Sequence, residues 1–330
     1  MFALPLDSAL QPPAQRRCAM HLNYMLNLYE TGYRDFVGIH LESSDLSHQI
    51  LVSINLSRAN LTGASLSRAF LTKAMFNRAR LNWADLSYTK MSGSQLIQAD
   101  LTKTNLRGSF LVSANLDSAR LSGANLAYAN LRNANLTHAN ITGANLQGVN
   151  LRGANLSGAN LTWANLRGAR LSGADLDKTQ MNEVNLEGAY LNGLDLRGMN
   201  LQGVNLSDAK LNGANLDGAD LSFATLTHAT LRGVSLRRTN LTGANLSQSF
   251  LSNALMVQTN LSRADLSQAN LSGADLNAIQ ISGAEFTDSI LPAKARLYLY
   301  DAVNEVTAGS YHPNPQNTRE SLDRCQFVET

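Results

Sequence analysis

At 330 residues the chain has the length of two ordinary domains, yet only 6% of its residues are aromatic and 16% charged, which is unusual for compact globules. A formal net charge of +2 excludes a strongly acidic or strongly basic molecule, and no apolar run is long enough for a membrane-spanning helix. Two cysteines at opposite ends, Cys18 and Cys325, offer neither a disulfide framework nor a paired metal-ligand motif. Residues 1–11 lack the pattern of a secretory signal, so we expect a reduced, cytoplasmic protein.

The first 35 residues are predicted to form a flexible tail, residues 1–13, and an N-terminal capping helix with its lead-in, residues 14–35. Two prolines precede the helical pattern and Gly32 ends it. Its apolar side chains recur at helical spacing and share one stripe: Cys18, Leu22, Met25, Leu26 and Tyr29. We interpret this helix as a lid on the following segment, and a partner-binding helix is the alternative.

An apolar anchor recurs every five residues from Phe36 to Leu291, and the register never slips. Each of these 52 positions is Leu, Ile, Met or Phe, and 44 of them are Leu. The residue two before the anchor is usually Ala, and the residue directly before it is commonly Asn or Asp, which gives the consensus A(N/D)LXX. Because a period of five fits neither a helix nor a strand, it predicts a chain that bends every five residues with the anchor and the small residue turned inward.

Four such sides would close one square coil of 20 residues, so residues 36–291 predict about 13 coils. Coils stacked at the spacing of hydrogen-bonded strands, about 4.8 Å, would form a rod roughly 60 Å long. The inward Leu and Ala side chains would fill the interior, which leaves no room for a substrate.

The tandem repeats, almost invariant from Ala114 to Ala174, resemble those of the pentapeptide-repeat family. The resemblance covers residues 36–291 and implies an all-β fold, a right-handed quadrilateral β-helix. The chain is similar to cyanobacterial members, some of which regulate other proteins by contacting them. The resemblance therefore implies a non-enzymatic, regulatory scaffold for protein–protein interaction, with a partner protein of unknown identity.

The C-terminal part is predicted to contain a capping helix, residues 292–309, and a tail, residues 310–330. The apolar face of the helix would consist of Leu299, Ala302, Val303 and Val306. In some relatives this end carries a dimer contact, so a homodimer through an end cap stays open.

Side chains that could carry chemistry are scattered through the chain. The six histidines form no pair at metal-ligand spacing, and the glycines follow the five-residue period instead of a phosphate-binding loop. Most aspartates stand at the Asn/Asp position of the repeat. We therefore expect no enzymatic activity, no metal and no cofactor.

If residues 20 apart stack, one column at the Asn/Asp position differs from the rest because it collects aromatic and basic side chains. With its neighbouring positions it forms what we call the aromatic-basic strip: Phe70, Tyr88, Lys90, Phe110, Tyr128, Arg132, Arg152, Arg170, Tyr190, Lys210, Arg232 and Phe250. Aromatic residues and Arg are enriched at protein interfaces, so the strip is a candidate partner-binding surface. The alternative is a side of the coil that merely tolerates large side chains. A second, weaker column holds Trp83, Trp163 and Phe223.

Charge is uneven along the predicted rod. Residues 51–110 carry a local charge of +6, from eight basic and two acidic side chains, whereas residues 171–220 carry −5, from three basic and eight acidic ones. We call five of the basic residues the basic collar: Arg58, Arg68, Lys73, Arg78 and Arg80. The collar could steer an acidic partner, and a solvated surface is the alternative.

Two further functions are alternatives to the scaffold. A DNA-mimic topoisomerase-protection protein, as in the quinolone-resistance branch of the family, is disfavoured because a net charge of +2 does not imitate a phosphate backbone. Nucleic-acid binding through the basic collar is the other alternative, and nucleic acid is disfavoured as a partner because the whole chain is nearly neutral.

Overall fold

The computed structural model describes residues 22–306 and 315–329 as a stack of coils with a helical cap at each end. Parallel bridges join residues 20 apart, from the pair Asp35 and Asn55 to the pair Asn270 and Ile290. Each bridge uses the residue directly before an anchor, so four pentapeptides make one turn of a β-helix. Most contacts between coils are isolated bridges and not extended strands, because the chain turns again after each bridging residue.

The anchors fill the interior of the coils. All 52 of them, from Phe36 to Leu291, are at most 3% exposed, and the small residues two positions earlier share the same core. Burial of a Leu side chain contributes about 1.5–3 kcal/mol relative to exposure, so this column of apolar groups is the main stabilising element. The inward packing predicted from the five-residue period is present throughout the repeats.

The backbone of each pentapeptide is satisfied mainly by the neighbouring coils. The N–H of Leu156 donates to the carbonyl of Asp175 one coil further on, at 2.8 Å, and the N–H of Asn155 donates to the carbonyl of Ala134 one coil back, at 2.9 Å. Within the turn, the N–H of Ala159 donates to the carbonyl of Leu156 at 2.9 Å. The second residue after each anchor from Phe36 to Phe286 has a positive φ, as at Gly158, with φ +68°. This geometry explains why Gly recurs at that position.

Helix α1, Leu22–Glu30, closes the N-terminal end. Met25 and Leu28 are buried, and the other members of the predicted stripe within the described range pack against the same core: Leu22, Leu26 and Tyr29. The guanidinium of Arg34 lies 3.8 Å from the centroid of the Tyr29 ring and donates a 2.7 Å hydrogen bond to the Tyr29 carbonyl. The predicted tail, the start of the predicted helix and Cys18 lie outside the described residues.

Strand β1, Ile290–Pro292, a 3₁₀ turn, Ala293–Ala295, and helix α2, Arg296–Val306, cover the C-terminal end. Leu299 and Val303 are buried against the core, and Ala302 is half-buried. The last three residues of the helix predicted over 292–309 lie outside the described residues.

Residues 315–329 correct the prediction of a tail over 310–330. They contain helix α3, Pro315–Asp323, and strand β2, Gln326–Val328, which pairs in parallel with β1. Leu322 is fully buried and Phe327 packs against the core, so apolar contacts and one strand pairing dock a segment whose composition is mostly polar.

Hydrogen bonds of Cys325 hold the chain in place directly before strand β2. Its thiol donates to the carbonyl of Phe286 at 3.0 Å and lies 3.3 Å from the Ser289 hydroxyl. Burial raises the pKa of the Cys325 thiol above its usual range, and burial also raises the pKa of Tyr298 to about 12. Both groups therefore stay neutral near pH 7, as suits a structural role in the cap.

Candidate interaction surface

The repeat decides which way each side chain points. Anchors and small residues point inward. The bridging residue directly before each anchor lies in the middle of one side of the coil, and the two residues after the anchor form the exposed turn at its corner. Because bridges join residues 20 apart, side chains at that spacing stand directly above one another. The columns assumed from the sequence are therefore real columns on the surface.

The aromatic residues in the central column of the aromatic-basic strip are exposed. Bridges link Phe70 to Lys90, Lys90 to Phe110, Arg170 to Tyr190 and Tyr190 to Lys210. The Phe70, Phe110, Tyr190 and Phe250 residues are between 40% and 46% exposed. Lys90 Nζ lies 3.5 Å from the centroid of the Phe110 ring, a cation–π contact between neighbouring coils.

The column is divided into blocks by two asparagines. Asn150 Nδ2 donates to Asn130 Oδ1 at 3.2 Å, between the block that ends at Phe110 and the block that begins at Arg170. Of the flanking arginines, Arg232 lies 5.9 Å from the Phe250 ring. Arg132 and Arg152 follow the two asparagines, each with its backbone N–H bonded to the asparagine side chain two residues earlier. Thr230 separates Phe250 from Lys210, so the strip is a row of three blocks.

Tyr88 and Tyr128 lie flat against glycines of the next coil. A Cβ added at Gly108 would lie 2.6 Å from the Tyr88 ring, and one added at Gly148 would lie 2.7 Å from the Tyr128 ring. Arg107 Cζ lies 4.9 Å from the centroid of the Tyr128 ring. Arg107 and the two glycines do not belong to the strip predicted from the sequence, and the signal that identifies them is a spacing of 20 or 21 residues from an aromatic side chain.

Replacement of Gly148 with Ala tests this stacking. Gly148 and Gly168 occupy the same column with φ of +64° and +65°, but only Gly148 has an aromatic ring where its Cβ would be. Gly168→Ala should therefore lower the free energy of unfolding only by the cost of placing a Cβ at a positive φ, about 1–2 kcal/mol. Gly148→Ala should destabilise the protein by a further 0.5 to 1.5 kcal/mol, approximately the cost of moving a side chain off its rotamer. Urea unfolding measures both values, and equal losses for the two variants would show that the ring does not rest on the glycine.

The second aromatic column lies one pentapeptide away, on the adjacent side of the coil. Trp83, Trp163 and Phe223 are each about 60% exposed. Lys103 Nζ lies 4.4 Å from the Trp83 ring, and the Phe223 ring covers Gly243. Because these three residues are four and three coils apart, they form separate contacts and no continuous surface.

The basic collar is distributed around the rod. Arg58 and Arg78 share one column and line a groove of about 450 Å³ together with Gln98, whose Oε1 accepts a 2.9 Å hydrogen bond from Arg78 Nε. Arg68 stands ten residues from both, which is half a turn, and therefore on the opposite side. Lys73 and Arg80 occupy further columns. The five cations surround the N-terminal coils and do not form a single patch.

Across 22–306 and 315–329, no three His, Cys, Asp or Glu side chains are grouped so that they could hold a metal ion. In the same ranges no helix has both the length and the apolar character needed to cross a bilayer.

Fold and surface together define a repeat solenoid with broad exposed sides. The sequence model described as "Pentapeptide repeats (8 copies)" matches this chain in overlapping segments between residues 39 and 288. The chain therefore belongs to the pentapeptide-repeat family, as the repeats predict. No curated protein matches the chain.

Several solved structures are similar to this chain. HetL, a pentapeptide repeat protein involved in heterocyst differentiation regulation in Nostoc sp. strain PCC 7120, is 27% identical over 81% of this chain and 97% of its own, with a TM-score of 0.23. A pentapeptide repeat protein of the Arabidopsis thaliana thylakoid lumen is 29% identical over 40% of this chain and 89% of its own, with a TM-score of 0.22. QnrB1, a plasmid-mediated fluoroquinolone resistance protein, is 15% identical over 72% of this chain and 94% of its own, with a TM-score of 0.29. At these TM-scores the family assignment depends on the repeats themselves.

Proposed function

We propose that this protein is a non-enzymatic scaffold that binds a partner protein through the aromatic-basic strip. One observation supports the proposal above all. Four aromatic residues are 40–46% exposed along one column of bridging positions, although each could have been an asparagine or aspartate as in most of the repeat.

The asparagine ladder on a neighbouring side shows what those positions otherwise do. Asn125 Nδ2 donates to Asn105 Oδ1 at 3.2 Å, and Asn145 Nδ2 donates to Asn125 Oδ1 at 3.4 Å. A Phe ring in the same place forms no such hydrogen bond and exposes apolar surface to water. Stability alone does not favour this exchange, whereas burial of the ring against a partner would.

The charges of the strip define the chemistry of the partner. Within the described part of the chain, Arg152, Arg170 and Lys210 form no salt bridge, and Lys90 is held over an aromatic ring. A partner surface with apolar groups flanked by carboxylates would cover the rings and pair with the cations. The strip is long and flat, so the partner should present an extended or equally flat surface.

The direct test replaces three aromatic residues of the strip with the consensus residue, in the variant Phe110→Asn, Tyr190→Asn, Phe250→Asn. Asn fits the bridging position throughout the repeat, so folding should be preserved while the apolar contacts are lost. Affinity purification from the native cell, quantified by mass spectrometry, should recover the partner at least about tenfold less efficiently, because a single interface hot spot contributes about 2 kcal/mol or more.

The matched control is Trp163→Asn, which removes a more exposed aromatic side chain, at 62%, from the adjacent side. This variant should retain the partner. If the triple variant recovers the same proteins as the unmodified chain, the strip is not the binding surface and the proposal is wrong.

A further inference from the structure

The backbone ladder between successive coils is interrupted between residues 173–184 and residues 192–205, both within the described part of the chain. Two bridges that the register requires are not formed there: Asp175 with Asp195, and Gln180 with Asn200. Each of these four residues still forms its other bridge: Asp175 and Gln180 pair with the preceding coil, and Asp195 and Asn200 pair with the following coil. The structure therefore contains one stacking fault, limited to one interface between coils.

Backbone amides at the fault lack their usual acceptors. One coil earlier, the N–H groups of Leu156 and Leu161 donate to carbonyls of the next coil at 2.8 Å. The equivalent N–H groups of Leu176 and Met181 form no such bond, although Leu176 is only 3% exposed. An unpaired backbone group away from water costs free energy, so this interface is the weak point of an otherwise regular stack.

The fault coincides with larger side chains inside the coils. In three successive pentapeptides the position that usually holds Ala holds a larger residue: Leu194, Met199 and Val204. In the register, Met199 faces Thr179 across the fault and Ala219 on its other side. The ladder is intact on the Ala219 side, where the N–H of Asp220 donates to the carbonyl of Met199 at 2.9 Å. This run of three larger side chains overfills the core, which accounts for the separation of the coils.

Separation of the coils leaves a cleft of about 320 Å³ on the surface. Ala174 and Met199 line it and are half-buried, whereas the alanines at equivalent positions in adjoining coils are fully buried. Arg197 lines the cleft and donates to the Asp195 carboxylate at 2.5 and 2.8 Å, and this hydrogen bonding holds the pKa of Asp195 below its usual range. Solvent therefore reaches the wall of the core at this point.

The fault is open on two sides of the coil and closed on the other two. The bridges of Asn165 with Asn185 and of Arg170 with Tyr190 are formed at the same level of the stack. The second of these belongs to the aromatic-basic strip. The missing bridge between Gln180 and Asn200 lies half a turn away, opposite the strip.

We propose that this fault is a bending joint, with its intact edge along the strip at Arg170 and Tyr190. Opening of the cleft on the far side tilts the two parts of the rod about that edge, and the strip becomes concave. Only this last consequence, adaptation of the strip to a partner, rests on the proposed function. The joint itself is a property of the free protein.

Hydrogen–deuterium exchange of the full-length protein tests the joint first. The amides of Leu176, Met181 and Asn200 should exchange at least about tenfold faster than those of Leu156 and Leu161, because groups outside the ladder need no opening of the stack to exchange. Equal rates in the two coils would overturn the proposal.

A consensus-restoring variant tests the cause. Leu194→Ala combined with Met199→Ala places the usual small residue at both positions, so the coils should close and exchange at Leu176 and Met181 should slow to the rate of their neighbours. Unchanged protection at Leu216 and Leu221 shows that the variant remains folded. If exchange at Leu176 stays fast in the folded variant, the proposed cause is wrong.

Spin-label distances test the bending. In a background of Cys18→Ser and Cys325→Ser, labels at Thr137→Cys and Arg237→Cys stand in one column five coils apart, roughly 24 Å, and span the fault. Labels at Ser57→Cys and Ser157→Cys have the same separation in an intact part of the same column. The distance distribution should be clearly broader for the first pair, and equal widths would exclude a joint. Neither result depends on a partner, so failure here is separate from failure of the strip.

Discussion

Replacement of Leu299 with Asp is expected to release the C-terminal cap and to drive the protein into oligomers. Leu299 is fully buried where helix α2 covers the last coil, and a carboxylate there would be desolvated without a partner. Release of the cap exposes apolar core and unpaired backbone groups, which are a template for association of copies. Size-exclusion chromatography with light scattering should show oligomers, and the melting temperature should fall by several degrees.

Leu297→Asp is the matched control on the same helix. Leu297 is 80% exposed, so the same chemical change two residues away should leave the protein in its original state of association, with stability changed by about 0.5 kcal/mol or less. If Leu299→Asp behaves like Leu297→Asp, α2 does not cap the coils.

Replacement of Leu156 with Ala is expected to remove about 2–5 kcal/mol from the free energy of unfolding. Leu156 is fully buried in the interior, and in the register it lies between Leu136 and Leu176. Neighbouring coils hold their positions through the ladder, so a cavity at one anchor cannot collapse easily. Urea unfolding followed by circular dichroism measures the loss, read as a shift of the transition midpoint because long repeat arrays need not unfold in one step.

Ser157→Ala provides the comparison within the same pentapeptide. Ser157 points outward, and the hydrogen bond of its backbone N–H to Asn155 Oδ1 does not need the hydroxyl group. Its replacement should change stability by about 0.5 kcal/mol or less. A small effect at both positions would mean that Leu156 is not part of a packed core.

The coil itself could be predicted from sequence because a single pattern decides it. An anchor every five residues from Phe36 to Leu291 fixes which side chains are inside and, with four sides per turn, which residues stack. The columns of the aromatic-basic strip follow directly from this register. Exposure of Phe110 and Tyr190 also follows, since bridging residues lie outside the core.

The stacking fault could not be predicted, because it depends on pairs of residues in different coils. Leu194 and Met199 are apolar and fit the inward-facing position of the repeat, so the repeat pattern does not identify either of them as exceptional. The ladder breaks where Leu194 and Met199 face the preceding coil and remains intact where they face the following coil. The total side-chain volume on both sides of an interface, and not the polarity of a single residue, determines whether the ladder between two coils forms.

The C-terminal segment was missed for a different reason. Pro313 to Asn317 has the composition of a loop, yet Pro315 starts helix α3, where a missing N–H costs nothing. Strand β2 then pairs with β1 at a spacing of 36 residues, outside the 20-residue register. Long-range pairing of this kind leaves no periodic trace in a sequence.

Thiol labelling along one pentapeptide tests the central claim most directly, since that claim is the inward packing of the anchor and the small residue. Single cysteines are placed in turn at Ala134, Asn135, Leu136, Thr137 and His138, in a background of Cys18→Ser and Cys325→Ser. Maleimide should react rapidly at positions 137 and 138, more slowly at position 135, and at least about a hundredfold more slowly at positions 134 and 136, which are reached only by opening of the coil. Rapid labelling at positions 134 and 136 would place these side chains outside and contradict the architecture.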